Sequence, residues 1–358
     1  MKPKLTTRIL KYLLITSVAI AVATALIWII LQGYSAPWTG FADFTKPNSD
    51  FTRGKTLWDW MQLFIIPIFL SVGVFFLNRS ERESERQRAE ERTNLEREIA
   101  ADRQQEAAFQ AYLDRMADLL LKGELRTTEN EEMHNVARTR TLTVLRGLDK
   151  TRKGLVLRFL QESNLLTKEK AVLDLNSADL SGAILSNAIL SNVDLRGVNL
   201  SNAELRGTNL RGANLSGTNL RRANLSGADL RDVNLSSVDL SDAILYHSFL
   251  SNADLTIANM QRANLSSAVL NDAILIDAIL VDAILNASDL SGANLSGADL
   301  SGTDFSSVNL SHAFMRGANL KGANLNDANL SGASVTNEHL ATTKSMNGTI
   351  LPDGTKHD

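Results

Sequence analysis

The residues of this chain that could do chemistry are scattered, not gathered. Its five histidines are His134, His247, His312, His339 and His357, and no two share a metal-ligand spacing. There is no cysteine, which removes disulfides, thiolate metal ligands and cysteine nucleophiles. Gly54-Lys55-Thr56 has the ending of a phosphate loop, but the position five residues before Gly54, where that loop needs glycine, is Ser49. Asp and Ser abound, yet they recur at a fixed interval, so an acid pair or a Ser/His/Asp set arises from repetition alone. No catalytic, cofactor-binding or metal-binding residue stands out. The expectation is a protein that is not an enzyme and uses no cofactor and no small-molecule substrate.

The interval itself is the strongest signal. Every fifth residue from Leu175 to Leu330 is a large apolar side chain, 32 positions in a row, and all are Leu except Met260, Phe305 and Met315. Two residues before most of them stands Ala or another small residue, such as Val193, Thr208 or Ser248. A period of five matches neither a helix nor a strand. A strict short repeat instead implies a solenoid, in which successive turns bury their apolar residues against one another. Gly is frequent two residues after the Leu, as at Gly182, Gly212 and Gly292, where each turn must bend.

The unit reads A-(D/N)-L-x-x, as in Ala213-Asn214-Leu215-Ser216-Gly217 and Ala298-Asp299-Leu300-Ser301-Gly302. It resembles the pentapeptide-repeat family over nearly half the chain. That resemblance implies an all-β, right-handed quadrilateral β-helix with four units per coil. Over residues 171–335 it implies about 8 coils, a rod of roughly 38 Å at about 4.8 Å per coil. Val335 and Leu340 keep the register while Glu338 breaks the small-residue position, and a Pro-Asp-Gly turn follows at 352–354. Residues 336–358 are therefore read as a C-terminal cap and tail, similar to endings in that family.

One stretch departs from the polar outward pattern. Between Ile257 and Ile284 the outward positions turn apolar at Val269, Ile274, Ile276, Ile279, Val281 and Ile284. Phe249 stands 20 residues, one expected coil, before Val269. Contiguous exposed apolar surface often marks a contact. These seven residues form the candidate interaction patch, for a protein partner or for self-association. The bland alternative is that the position before the central Leu tolerates Ile, as at Ile184 and Ile189.

The front of the chain differs in kind. Tyr12 to Leu31 carries no charge over 20 residues, and a second apolar stretch covers Met61 to Leu77. Residues 1–77 are read as a transmembrane hairpin, with helices at about 10–32 and 57–77. Lys2, Lys4, Arg8 and Lys11 precede the first span and Arg79, Arg82, Arg86 and Arg88 follow the second, so both termini are expected in the cytoplasm. Residues 78–121 read as a charged helical stalk, with Glu83/Arg86 and Arg86/Glu90 at helical spacing. Leu95, Ile99, Phe109, Tyr112 and Met116 supply an apolar stripe for a coiled coil or for packing on later helices. Residues 122–170 give two amphipathic helices, one using Val136, Leu142, Leu145 and Leu148, the other Leu155, Leu157, Phe159, Leu160 and Leu165. They are expected to cover the first coil. Hairpin, stalk and repeats together look like a recurring bacterial membrane-anchored type, which implies the inner membrane and the lipid bilayer as a partner.

Three functions compete on this sequence. The first is a membrane-anchored scaffold presenting a cytoplasmic rod. The second is a signalling protein with residues 33–56 as a short external sensor. The third is imitation of duplex DNA, by which some members of the resembled family shield topoisomerases. Mimicry needs a continuous acidic surface. Residues 171–335 hold 16 acids against 9 bases, net −7, and Arg196, Arg206, Arg211, Arg221, Arg222 and Arg231 interrupt the early coils. Direct nucleic-acid binding is not expected either, because the bases of 122–170 lie along amphipathic helices without aromatic interleaving.

Overall fold

A computed structural model describes residues 66–122, 125–127, 130–168 and 172–358. It also describes isolated positions nearer the N-terminus, at 17, 21, 24, 25, 28, 44, 45, 51, 52, 59 and 63. The chain divides into two compact units, Met1–Glu98 and Ile99–Asp358.

In the first unit, β1 (Phe44–Thr45) pairs antiparallel with β2 (Phe51–Thr52). Helix α1 (Ile66–Leu121) begins here and ends in the second unit. Among the described residues no helix is long and apolar enough to cross a membrane. The apolar start of α1, Ile66–Leu77, spans about 18 Å at 1.5 Å per residue, short of the roughly 30 Å of a bilayer core. The expected first span, 10–32, and residues 57–65 of the second lie almost wholly outside the described residues.

The second unit is a β-helix sealed at its start by helices. Each five-residue step puts the small residue and the Leu inward, so both are almost fully buried from Leu175 to Leu330. The residue between them forms a single parallel bridge to the residue 20 further on, from Asp179↔Asn199 to Phe314↔Ser334. One bridging residue per side is too short for a regular strand, so the ladder replaces strands. Neighbouring coils satisfy the amides of the Leu and of the bridging residue: Leu255 N–H donates to Ile274 O at 2.7 Å and Asp254 N–H to Val233 O at 2.9 Å. Where the small residue is Thr, its buried hydroxyl donates to a core carbonyl of the coil before, as Thr208 does to Leu185 at 2.8 Å.

The corners follow the same economy. Ala258 N–H closes a turn on Leu255 O at 3.0 Å, and the second corner residue has positive φ at all 32 corners from Ser177 to Gly332. Glycine is not the rule there, because 20 of the 32 carry a side chain, mostly Asn, Asp or Ser. Asn and Asp tolerate this backbone region far better than branched residues do. The Asn or Asp before the Leu plays a separate part, since its Oδ1 accepts from the first corner amide, as Asn294 does from Ser296 at 3.1 Å.

Helix α2 (Glu131–Gly147) is N-capped by Asn130, and α3 (Lys150–Glu162) by Asp149. Phe109, Tyr112 and Met116 of α1 are buried, and Tyr112 meets Phe159 edge-on at 6.4 Å and Thr141 Oγ1 at 3.0 Å. Packing, not a coiled coil, therefore accounts for this part of the stripe, whereas Leu95 and Ile99 stay exposed. The expected stripes need correction at Val136 and Leu155, which face outward. Leu145, Leu148, Leu157, Leu160 and Leu165 are buried as expected, and Ala137, Thr141 and Val156 join them, because the buried lines run through 137, 141, 145 and 148 and through 153, 156, 157 and 160, and Val136 and Leu155 lie beside them.

Helix α3 lies across the first coil. Ile184 N–H donates to Lys150 O at 3.0 Å, and Lys153, only 6% exposed, pairs with Asp179 at 2.9 Å. At the far end the register expected through Leu340 does not continue. Residues Asn337–Leu340 form a short helix, α4, and the ladder resumes 21 residues on, at Asn324↔Ser345 and Asn329↔Ile350. The tail then folds back as Ile350↔Lys356 and covers the edge of the last coil on that side.

Candidate interaction surface

With helices over its first coil and the tail over part of its last, the solenoid offers its flanks. Four faces can be followed through the bridges. Face 1 runs through Phe249 and Val269, face 2 through Ile274 and Phe314, face 3 through Ile279, and face 4 through Ile244 and Ile284. The seven candidate residues are thus a belt around one coil rather than one patch. Val269, Ile274, Ile279 and Ile284 occupy four successive faces, and Phe249 stacks on Val269. Ile276 sits at the corner between faces 2 and 3, and Val281 at the corner between faces 3 and 4. Phe249, Ile274, Ile279 and Ile284 are exposed, while Val269, Ile276 and Val281 are half-buried. A flat partner can cover only one corner and its two faces.

The belt has a local cost. At 269, 274, 279 and 284 the side chain has no oxygen to accept from the first corner amide, a bond that Asp254, Asn259 and Asn264 each make one coil earlier. Four consecutive steps forgo a bond made through most of the solenoid, and the isoleucines gain only partial burial in return.

Two exposed apolar groups adjoin the belt; residue-by-residue reading named Phe249 of the first and Ile257 as the start of the apolar stretch, but missed Ile244 and Tyr246. Ile244, Tyr246 and Phe249 form the first, at the corner between faces 4 and 1, with the Tyr246 ring 3.9 Å from that of His247. Tyr246 and Phe249 are two of only four aromatics in the repeats, which was the available signal. The second is Ile257, which has φ +58° and is 59% exposed. It occupies the corner position where the other steps have Gly, Asn, Asp, Ser, Arg, His or Ala.

Charge on the flanks is interleaved. Arg196 pairs with Asp194, Arg211 with Asp232, and Arg231 with Asp229. Asp242 gathers three arginines: Arg262 at 2.8 Å, Arg221 at 3.5 Å and Arg222 at 3.9 Å. The hydrogen bond from Arg262, with the charges of all three, holds its carboxyl below the usual carboxylate range. No face carries an unbroken acidic column along the rod. The helical cap has its own cluster, in which Arg152 binds Asp102, Glu106 and Asp149. Hydrogen bonds from Gln110 and Arg152 hold Glu106 below its ordinary pKa. Burial would raise Asp149, but hydrogen bonds from the Arg152 backbone and guanidinium outweigh it.

Among the described residues no three His, Asp or Glu side chains are placed to hold a metal. A groove of about 620 Å³ between α1 and α2 is lined by residues such as Ala108, Tyr112, Arg115 and Thr139, without a carboxylate or a histidine.

The repeat geometry and the sequence agree with a known family. The model of pentapeptide repeats matches in overlapping segments from residue 174 to residue 337. Residues 174–337 belong to the pentapeptide-repeat family. The right-handed hand of the β-helix follows from that membership. Among solved pentapeptide-repeat structures, HetL, involved in heterocyst differentiation regulation in the cyanobacterium Nostoc sp. strain PCC 7120, is 32% identical. That likeness covers 50% of this chain and 87% of HetL, with a TM-score of 0.35. A pentapeptide repeat protein from the cyanobacterium Cyanothece 51142 is 41% identical over 25% of this chain and 60% of its own, TM-score 0.24. QnrB1, a plasmid-mediated fluoroquinolone resistance protein, is 20% identical over 49% of this chain and 91% of its own, TM-score 0.30. No curated protein matches the chain.

Proposed function

We propose that this pentapeptide-repeat protein is a non-enzymatic scaffold, anchored at a membrane by its N-terminal apolar segments and binding a protein partner through a flank of the solenoid. The observation that carries the reading is the apolar belt of residues 269–284, which departs from the repeat at a cost to local hydrogen bonding. Ends covered in this way favour a lateral contact over end-to-end stacking. The anchor is supported by the uncharged run Tyr12–Leu31 and by the start of α1, where Phe69, Leu70, Phe75, Phe76 and Leu77 are all exposed and suit an apolar surround. Interleaved arginines disfavour DNA imitation along the rod.

The test is crosslinking and co-purification of the intact protein from its own membrane, with sedimentation of the purified chain. Ile276→Asp with Val281→Asp should leave the melting curve intact and abolish partner capture or self-association. Unchanged capture and unchanged sedimentation would refute the scaffold surface. Recovery of the chain in the soluble fraction would refute the anchor.

A further inference from the structure

Ile257 is the most revealing residue of the flank. A β-branched side chain at φ +58° is strained by contact of Cβ with the backbone, and it is 59% exposed, so burial within the molecule does not compensate. Strain held at an exposed position points to a use outside the fold. Its N–H donates to Ile276 O at 2.9 Å, which places Ile276 beside it at the same corner one coil on. Ile274 and Ile279 lie on the two faces meeting there, both exposed. Four isoleucines thus converge on one corner across two successive coils.

The surroundings state the partner's charge. On faces 2 and 3 and their shared corner, residues 234 to 299 include Asp239, Asp254, Asp277 and Asp299 and no Lys, Arg or His. The ion pairs of the flanks lie elsewhere, at Asp194, Asp229, Asp232 and Asp242. We infer that this corner docks a basic amphipathic segment of a partner protein, with its apolar side chains on Ile257, Ile274, Ile276 and Ile279 and its Lys or Arg residues against the four aspartates. An apolar centre with a complementary charged rim is the usual anatomy of a specific contact. The inference rests on the scaffold reading and names the corner and the chemistry it recognises.

The intact chain in zwitterionic nanodiscs is titrated against two labelled 18-residue helices of one amphipathic pattern, Leu/Lys and Leu/Glu, with empty nanodiscs subtracted. The Leu/Lys helix should bind at least tenfold more tightly, and more weakly as salt rises. Ile257→Asn with Ile276→Asn should weaken it fivefold or more, and Asp254→Asn with Asp277→Asn should flatten the salt dependence. Melting curves of both variants verify that they fold. Equal binding of the two helices, or wild-type binding by the isoleucine variant, overturns the inference. Self-association of the wild type that the isoleucine variant loses also overturns it, in favour of a second copy. Each of these three failures leaves the scaffold reading standing if the membrane co-purification still depends on Val281 and the other faces.

Discussion

Gly154→Ala sets two local rules against each other. In an isolated helix, alanine for glycine stabilises by about 1 kcal/mol. Here the residue is in the first turns of α3, which lies on the first coil. A Cβ built at Gly154 meets the carbonyl oxygen of Ile184 well inside 3.0 Å, a separation real Cβ atoms do not adopt. The obstacle is backbone already held by the ladder, so α3 must retreat by on the order of 1 Å to restore contact distance. That movement stretches the 3.0 Å bond from Ile184 N–H to Lys150 O and the 2.9 Å pair between Lys153 and Asp179. Overpacking of this kind costs about 1–3 kcal/mol, and a weakened buried bond about 1 more. The clash wins: the net effect should be a loss of about 1–3 kcal/mol, concentrated at the cap. Urea denaturation followed by circular dichroism gives the total, and hydrogen exchange of the Ile184 and Leu185 amides gives the location. A variant as stable as the wild type, with those amides equally protected, would refute the docking of α3 derived from these contacts.

The other predictions are smaller and directional. Ile257→Asn should be neutral or raise stability by up to about 1 kcal/mol, because relief of about 1–2 kcal/mol of backbone strain exceeds the partial burial lost. A urea midpoint that falls by more than the equivalent of 1 kcal/mol would count against strain at that corner. Ile274→Asn should stabilise by about 0.5–1 kcal/mol by restoring the bond to the Ile276 amide, readable as a higher melting temperature. At the helical cap, Glu106 and Asp149 have depressed pKa values, so their contribution is present above about pH 4 and is lost as pH falls through the lower folded values. Arg152→Met removes the base they share and should flatten that acid limb. An acid-denaturation profile unchanged in shape would show that the cluster does not couple to folding.

Much of the solenoid was legible because its signal repeats. Each Leu from 175 to 330 gives the same inward position, and an error at one unit is corrected by the next. Corner chemistry was less legible. Glycine stood out at the bends in the sequence, yet Asn, Asp and even Ile257 adopt the same backbone, because the ladder on either side fixes it. The helices before the first coil were read by apolar periodicity, which misassigned Val136 and Leu155. The leucines at 145, 148, 157 and 160 were placed correctly, but small or polar residues such as Ala137 and Thr141 complete the buried line, and apolar periodicity does not register them. The apolar belt was visible, but not its division among four faces. That division depends on which residues lie 20 apart, and it leaves the seven candidates on different sides of the rod. The isoleucine corner emerged only when backbone strain at Ile257 was set beside the exposure of Ile274 and Ile279.

The uniform ladder makes the solenoid a ruler with an angular scale. From Asp179 at the capped end to Ile279 is 100 residues along one face, five coils, or roughly 24 Å at 4.8 Å per coil. Removing four repeat units between these points would shorten that distance by one coil and leave the isoleucine corner pointing the same way. Removing two units would shorten it by half as much and turn the corner to the opposite side. Reach and bearing are therefore set separately, by the number of coils and by the remainder after division by four.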